Sequence, residues 1–307
     1  MIRVKIASTT ADFKSLPDDD YLERVRHVAK AGFKYIDLSL YNINKKNNPF
    51  MQDNFEEYVK ELKKLAEELG IKYVQAHLPN CNPMDKEHFD EYVNCTIRAI
   101  EVCGMLGIEN VVIHTGWMDG VTKEEYFEIN YNALKPLFPA MEKNNVNVLI
   151  ENSTKANMGE KYFFLTGREM KEFIEYVNHP LLHACWDLGH ANIEGHQYED
   201  IMTLGDDLRA IHVHDNNGKG DEHVALFTGT VNIDEVINAL IDSGYKGYFT
   251  FETDNAVSCG KTWQLNRRIF ERDTRLFNPT TEMYDAAEKF IFELGKACLK
   301  AYGIYEE

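Results

Sequence analysis

Six short apolar runs in this chain each end in a residue type that can bind a divalent metal or carry a proton: YVQAH at His77, VVIH at His114, VLIE at Glu151, HACWD at Asp187, AIH at His212 and FTFE at Glu252. Imidazole and carboxylate donors without a clustered thiol suit Mn²⁺, Mg²⁺, Co²⁺ or Zn²⁺ rather than a structural cysteine-type zinc site. Glu151, Asp187, His212 and Glu252 make the simplest metal set, three carboxylates and one imidazole, open enough to admit two substrate oxygens. A metal that chelates a carbonyl oxygen and the adjacent hydroxyl acidifies the C–H between them and holds the enediolate that forms. Two carboxylates on opposite sides of that carbon can remove a proton from one face and return it to the other, or shuttle it between carbons. Glu151 and Glu252 are the candidates for that pair. One carboxylate at a strand end is ordinarily a loop cap or a salt bridge; four ligand types at consecutive strand ends fit that explanation poorly.

Further residues thicken the set. His190 lies three residues beyond Asp187 in CWDLGHAN, within reach of a metal or a substrate hydroxyl, and Gly189 lets the backbone turn there. In IHVHDNNGKGDEH, His212 and His214 differ by two residues and share one side of an extended strand, Asp215 reads as a supporting or capping group, and Asp221 with His223 forms a DxH pair. That pair is a candidate second metal position, weighed equally against a polar loop bonding to itself. His77 and His114 hold the same strand-end place as the stronger ligands and are candidates for metal or substrate contact, against the ordinary reading of a hydrogen-bonded core histidine. Trp117 offers an apolar wall over a sugar ring, though an aromatic after a strand is more often packing, and Lys219 or Lys155 offers a cation to a negative substrate group. Asn152 is placed to orient Glu151.

Successive members of the main series lie 37, 37, 36, 25 and 40 residues apart, the length of one strand, one helix and two loops in an alternating chain. Strand patterns fall at about residues 3–8, 34–39, 72–77, 110–114, 146–151, 182–187, 208–213 and 247–252. Eight strands predict a closed (β/α)8 barrel, in which strand C-termini converge on one face and residues remote in sequence meet. Between the strands run amphipathic segments such as YLERVRHVAKAG and NFEEYVKELKKLAEELG, with Gly32, Gly70 and Gly107 as helix C-caps. No linker or low-complexity tract divides residues 1–307, so the expectation is one domain whose C-terminal extension, about 258–307, packs on the barrel. Within it, Lys261, Arg267, Arg268, Arg272 and Arg275 form a basic stretch in the loop after strand eight, read first as a solvated face and second as a phosphate contact.

With 307 residues and 44% hydrophobic content the chain has ample material for a core, and it contains no run of 18 apolar residues. Its start, MIRVKIAS, passes straight into a strand pattern without the features of a secretory leader, and its six cysteines include no CxxC pair. Both point to a cytoplasmic protein with reduced thiols. A net charge of −17 argues against non-specific nucleic-acid binding, while leaving room for a small anion beside a metal.

The IENS, WDLGHAN, IHVHDN and GYFTFE segments resemble the metal motifs of ketose 3-epimerases within the xylose isomerase-like TIM-barrel superfamily. The resemblance covers nearly the whole chain. It implies Glu151, Asp187, His212 and Glu252 as ligands, Glu151 and Glu252 as the acid/base pair, and His190 as a substrate contact. The trinuclear-zinc apurinic endonucleases of the same superfamily have nine ligand types, all found here in order: His77, His114, Glu151, Asp187, His190, His212, Asp221, His223 and Glu252. Sugar isomerase-like members also carry the AHLP, DNxGxxDEH and GYxGxxxxE patterns, so these nine residues alone do not imply DNA repair. Two departures bear on the substrate. ALFTGTVN keeps only Gly229 of a PGxG-like turn, and an arginine that contacts substrate in ketose 3-epimerases has no equivalent among Asn216, Asn217, Gly218 and Lys219.

The expectation is therefore a metal-dependent isomerase or epimerase of a sugar, keto-polyol or sugar phosphate, with no membrane or nucleic-acid partner. By analogy with relatives it is a candidate homo-oligomer. The alternatives are a trinuclear-zinc phosphoesterase and a metal-dependent lyase or dehydratase on a keto-sugar.

Overall fold

The computed structural model describes residues 2–79, 81–159, 162–257 and 279–307. Eight strands, β1 (Lys5–Thr9), β2 (Tyr35–Ser39), β3 (Lys72–His77), β4 (Asn110–Ile113), β5 (Asn147–Glu151), β6 (Leu182–Asp187), β7 (Leu208–Val213) and β8 (Tyr248–Phe251), close into one barrel in chain order. Neighbours pair in parallel throughout, β1 with β8 included. The eight-stranded reading of the sequence is met, with each strand beginning or ending within a few residues of its pattern.

Strand periodicity explains where the site sits. Val148, Ile150, Phe249 and Phe251 belong to the large core between the sheet and its helices, whereas Val112, Leu149, Cys185 and Ala210 form a small separate cluster inside the barrel. Two residues along a strand return the side chain to the same face. The next inward positions above this apolar floor are thus His114, Glu151, Asp187 and His212. Around the barrel, helices bury one face each and stop at glycines: Gly32, Gly70 and Gly107 take left-handed φ values of 117°, 65° and 74°, as the C-cap reading requires. The last helix, Thr281–Ala301, lies against the first, Tyr21–Ala31, and against β1. There Gly295 is needed for close approach, since a Cβ would stand 2.5 Å from the Phe251 ring. After that helix the chain pairs beside β1, Val4 N donating to Ile304 O at 2.8 Å. The basic residues Lys261, Arg267, Arg268, Arg272 and Arg275, and Cys259, lie outside the described residues; the other five cysteines are free thiols. Among the described residues no helix is long and apolar enough to cross a membrane.

Candidate metal centre

At the C-terminal end of the barrel, one donor atom from each of Glu151, Asp187, His212 and Glu252 lies within 4.8 Å of the others. These four residues come from β5, β6, β7 and the position after β8. His212 is fully buried, and its Nδ1 is 2.6 Å from Glu151 Oε1 and 3.5 Å from Glu252 Oε2. Asp187 is equally buried and caps the short helix that follows it, accepting from His190 N at 2.7 Å. A cavity of about 730 Å³ opens above, lined by Glu151 and Glu252 with His77, His114, His190, Asp221, His223 and Trp117.

The surrounding imidazoles are oriented by backbone. Nδ1 of His77 meets Leu78 O at 3.0 Å, that of His190 meets Asn152 O at 2.9 Å, and that of His223 meets Glu252 O at 3.1 Å. A carbonyl oxygen only accepts, so each Nδ1 is the donor and each Nε2 is turned inward. Those inward nitrogens face carboxylate oxygens: His77 faces Glu151 Oε2 at 3.3 Å, while His190 and His223 face Asp221 Oδ2 and Oδ1 at 3.2 and 3.1 Å. A neutral imidazole would set a lone pair against a carboxylate, so a proton or a cation must lie between them. Histidine that gives its outer N–H to a backbone carbonyl and turns its other nitrogen to a shared centre is the usual disposition of a metal ligand. Further donor groups among the described residues include His77–His114–Glu151, which shares Glu151 with the first set, and His190–His214–Asp221–His223, which shares no residue with it.

Charge coupling dominates the site. Burial would hinder ionisation of Asp187, but His190 and His214 beside it bring its carboxyl down to about 2. Burial equally opposes charge on His190, yet Asp187 and Asp221 hold its imidazolium up to about 10. Glu151 and Asp221 are driven well below the usual carboxylate range against burial, chiefly by His212 and His114 in one case and His190 and His223 in the other. His114 is the exception: burial prevails and lowers it to about 4, so it is neutral, and its Nδ1 makes no hydrogen bond.

Some positions differ from expectation. Lys219 and Lys155 are exposed and do not line the cavity. Asn152 does not orient Glu151; it clasps the backbone of Asp187, donating to its carbonyl at 3.0 Å and accepting from its N–H at 2.6 Å. Gly189 serves clearance rather than a sharp turn, because a Cβ there would lie 1.9 Å from Cε1 of His214. His214, read in the sequence only by its side of the strand, stacks on His223 at 3.8 Å and approaches Asp187 Oδ1 at 3.0 Å. The glycine two residues after Asp187 was the available clue to a bulky neighbour at that spot. Asp215 is a loop support as expected, accepting from Gly229 N and Val231 N at 2.9 Å each. Asn157, missed in the sequence, donates to Asp221 Oδ2 at 2.8 Å from the one-turn helix Lys155–Met158.

Known proteins place this geometry in context. A protein of Methanocaldococcus jannaschii that carries no assigned function is 27% identical over 225 residues, 69% of this chain and 75% of that one. A probable endonuclease 4 of Acholeplasma laidlawii is 25% identical over 209 residues, 61% of this chain and 70% of its own. A D-psicose 3-epimerase from Clostridium cellulolyticum H10, solved with D-tagatose, superposes with a TM-score of 0.73 at 21% identity, covering 97% of this chain and 99% of that one, a likeness of fold. The family model described as xylose isomerase-like TIM barrel matches residues 25–274, from the first helix past the last strand. On that match, with eight parallel strands and ligand types at their C-terminal ends, the chain belongs to the xylose isomerase-like TIM-barrel family.

Proposed function

We propose that this protein is a divalent-metal-dependent isomerase or epimerase of a keto-sugar, keto-polyol or sugar phosphate. The observation that carries this reading is the approach of the Glu151, Asp187, His212 and Glu252 donor atoms within 4.8 Å of one another. Three carboxylates at that spacing around one imidazole repel unless a cation lies among them, and buried charge without a partner is costly. The donor set therefore fits a divalent ion, held by these four residues. Such an ion supplies positive charge to a substrate carbonyl and its neighbouring hydroxyl, which makes the C–H between them acidic. Glu151 and Glu252 enter the cavity from β5 and from the end of β8, one fully buried and one partly exposed. One carboxylate takes the proton from the substrate carbon and the other returns it. His190, which lines the cavity with its Nε2 beside Asp221, contacts a substrate hydroxyl, and Trp117 flanks the bound ring and sheds water. Unpaired thiols among the described residues suit a reducing cytoplasm.

The test is incubation of the metal-loaded protein with keto-sugars in D₂O, followed by NMR. Exchange at the carbon beside the carbonyl with a changed configuration supports the reading, and a dehydrated or cleaved product would assign a lyase instead. A second reading, a multi-metal phosphoesterase, is favoured by the additional donor groups around His77 and Asp221. The charge of −17 opposes its nucleic-acid form. Three ions per chain with cleavage of an abasic duplex would establish that reading; one ion and no cleavage removes it.

A further inference from the structure

Below the ligand layer a polar chain crosses the barrel interior and ends on His212. Gln75 Nε2 lies 2.7 Å from Asp37 Oδ2 and 2.7 Å from His212 Nε2. Thr9 Oγ1 donates to the other oxygen of Asp37 at 3.3 Å. The three strand positions are register partners, Thr9 with Asp37 and Asp37 with Gln75, so the chain follows the sheet from β1 to β3 before reaching across to β7. Asp37 and His212 have no exposure and Gln75 has 3%, so none of these contacts can be exchanged for water. Burying a carboxylate and an amide here is expensive unless each contact is made.

The residue types are specific to what lies on either side. Ionised Asp37 only accepts, and it therefore needs an N–H. The outer nitrogen of His212 can be donor or acceptor, depending on what its Nδ1 binds. Both contacts run from Gln75 Nε2, whose two N–H groups donate to Asp37 Oδ2 and to His212 Nε2, so one amide nitrogen satisfies both neighbours. A glutamate would set a second charge against Asp37, and a leucine of similar size would leave two buried polar groups unpaired.

We propose that Gln75, anchored by Asp37, is a positioning residue of the metal centre, holding the His212 ring by its Nε2 edge so that Nδ1 faces the oxygens of Glu151 and Glu252. This rests on His212 being a ligand, as in the function proposed above. Contacts of this kind behind a ligating histidine typically change metal affinity by about 10–100-fold when removed.

The experiment measures Co²⁺ affinity by competition with a chromophoric chelator, together with the visible spectrum of the bound Co²⁺, for the unaltered protein, Gln75→Leu, Asp37→Asn and His212→Ala. Gln75→Leu is expected to bind Co²⁺ at least tenfold more weakly and to shift the ligand-field bands. Asp37→Asn, which keeps the shape and loosens only the anchor, is expected to lose a few-fold. A role confined to filling the barrel lowers the unfolding midpoint without moving affinity or spectrum, so unchanged values for Gln75→Leu overturn the proposal. If Gln75→Leu does not fold, unchanged values for Asp37→Asn overturn it. Loss in His212→Ala with no loss in Gln75→Leu removes the relay alone, whereas equal binding by His212→Ala and the unaltered protein, or no binding by either, removes the ligand assignment as well.

Discussion

The two sides of the barrel are filled differently. From β4 to β7 the inward positions below the ligand layer are Val112, Leu149, Cys185 and Ala210, a dry apolar floor. From β1 to β3 the corresponding interior holds Thr9, Asp37 and Gln75, all buried and polar. Behind β1 the pattern continues, with Ser8, Asp12 and Glu288 of the last helix buried together. An apolar floor holds ligands by shape, because close packing leaves the side chains above it few alternatives. A polar interior holds them by hydrogen bonds, and each unmade bond is a cost. The same fold thus supports one rim of its site by packing and the other by directed contacts, and the two should fail differently when altered.

The largest effect is expected at the rim itself. Glu151→Gln and Glu252→Gln should each lower turnover on an identified substrate by about 10²–10⁴-fold, the range for a lost proton carrier. Deuterium exchange into the substrate should fall in parallel, and a variant that keeps full exchange would remove that carboxylate from the reaction. Beneath it, Leu149→Ala should cost about 2–5 kcal/mol in urea unfolding, since Leu149 is fully buried and its truncation leaves a cavity. The folded variant should still bind Co²⁺ within a few-fold of normal. A large affinity loss without a stability loss would reverse the distinction between the two sides. Gly189→Ala comes next: a Cβ 1.9 Å from His214 forces that ring away, at about 1–3 kcal/mol. Titration should then show weaker Co²⁺ binding, since His214 belongs to the His190–His214–Asp221–His223 group and also lies 3.0 Å from Asp187 Oδ1.

The apolar side was the legible one. Alternation within VLIE, HACWD and AIH marks both the outward core residues and the inward ligand, because period two and a terminal polar residue coincide in one short run. That is why the eight strands, the C-cap glycines and the strand-end donors emerge from the sequence nearly in place. Asp37 in YIDLS and Gln75 in KYVQAH carry no such mark. A polar residue in mid-strand usually faces solvent, and only barrel closure tells that these two face the axis. His214 was similarly obscured, since its partner Gly189 is 25 residues away in sequence and their contact depends on how β6 and β7 pack. Asn157 reaches Asp221 from a single helical turn, Lys155–Met158, too short for periodicity to show direction.

The smallest effect tests the cost of the polar side by pH. Glu288 is raised to about 7 by burial, with Ser8 and Asp12 as polar neighbours that oppose the rise, and Asp12 is itself pushed well above the usual range by burial and by Glu288. In the unfolded chain a glutamate titrates near 4.3. The folded state therefore binds this proton more tightly, so the contribution of Glu288 to stability is fully present below about pH 4.3, declines as pH rises towards 7, and levels off above it. Each proton taken up on folding contributes a slope of up to about 1.4 kcal/mol per pH unit, and Asp12, raised as well, adds to that of Glu288. Glu288→Gln removes one of the two titrations and relieves Asp12 of a neighbouring charge, so urea midpoints measured from pH 5 to 8 should be flatter for the variant, which should be the more stable of the two at pH 8. Parallel curves would mean that the pair is already relieved by water or by movement of the last helix, and that the polar side of this barrel carries less strain than its burial implies.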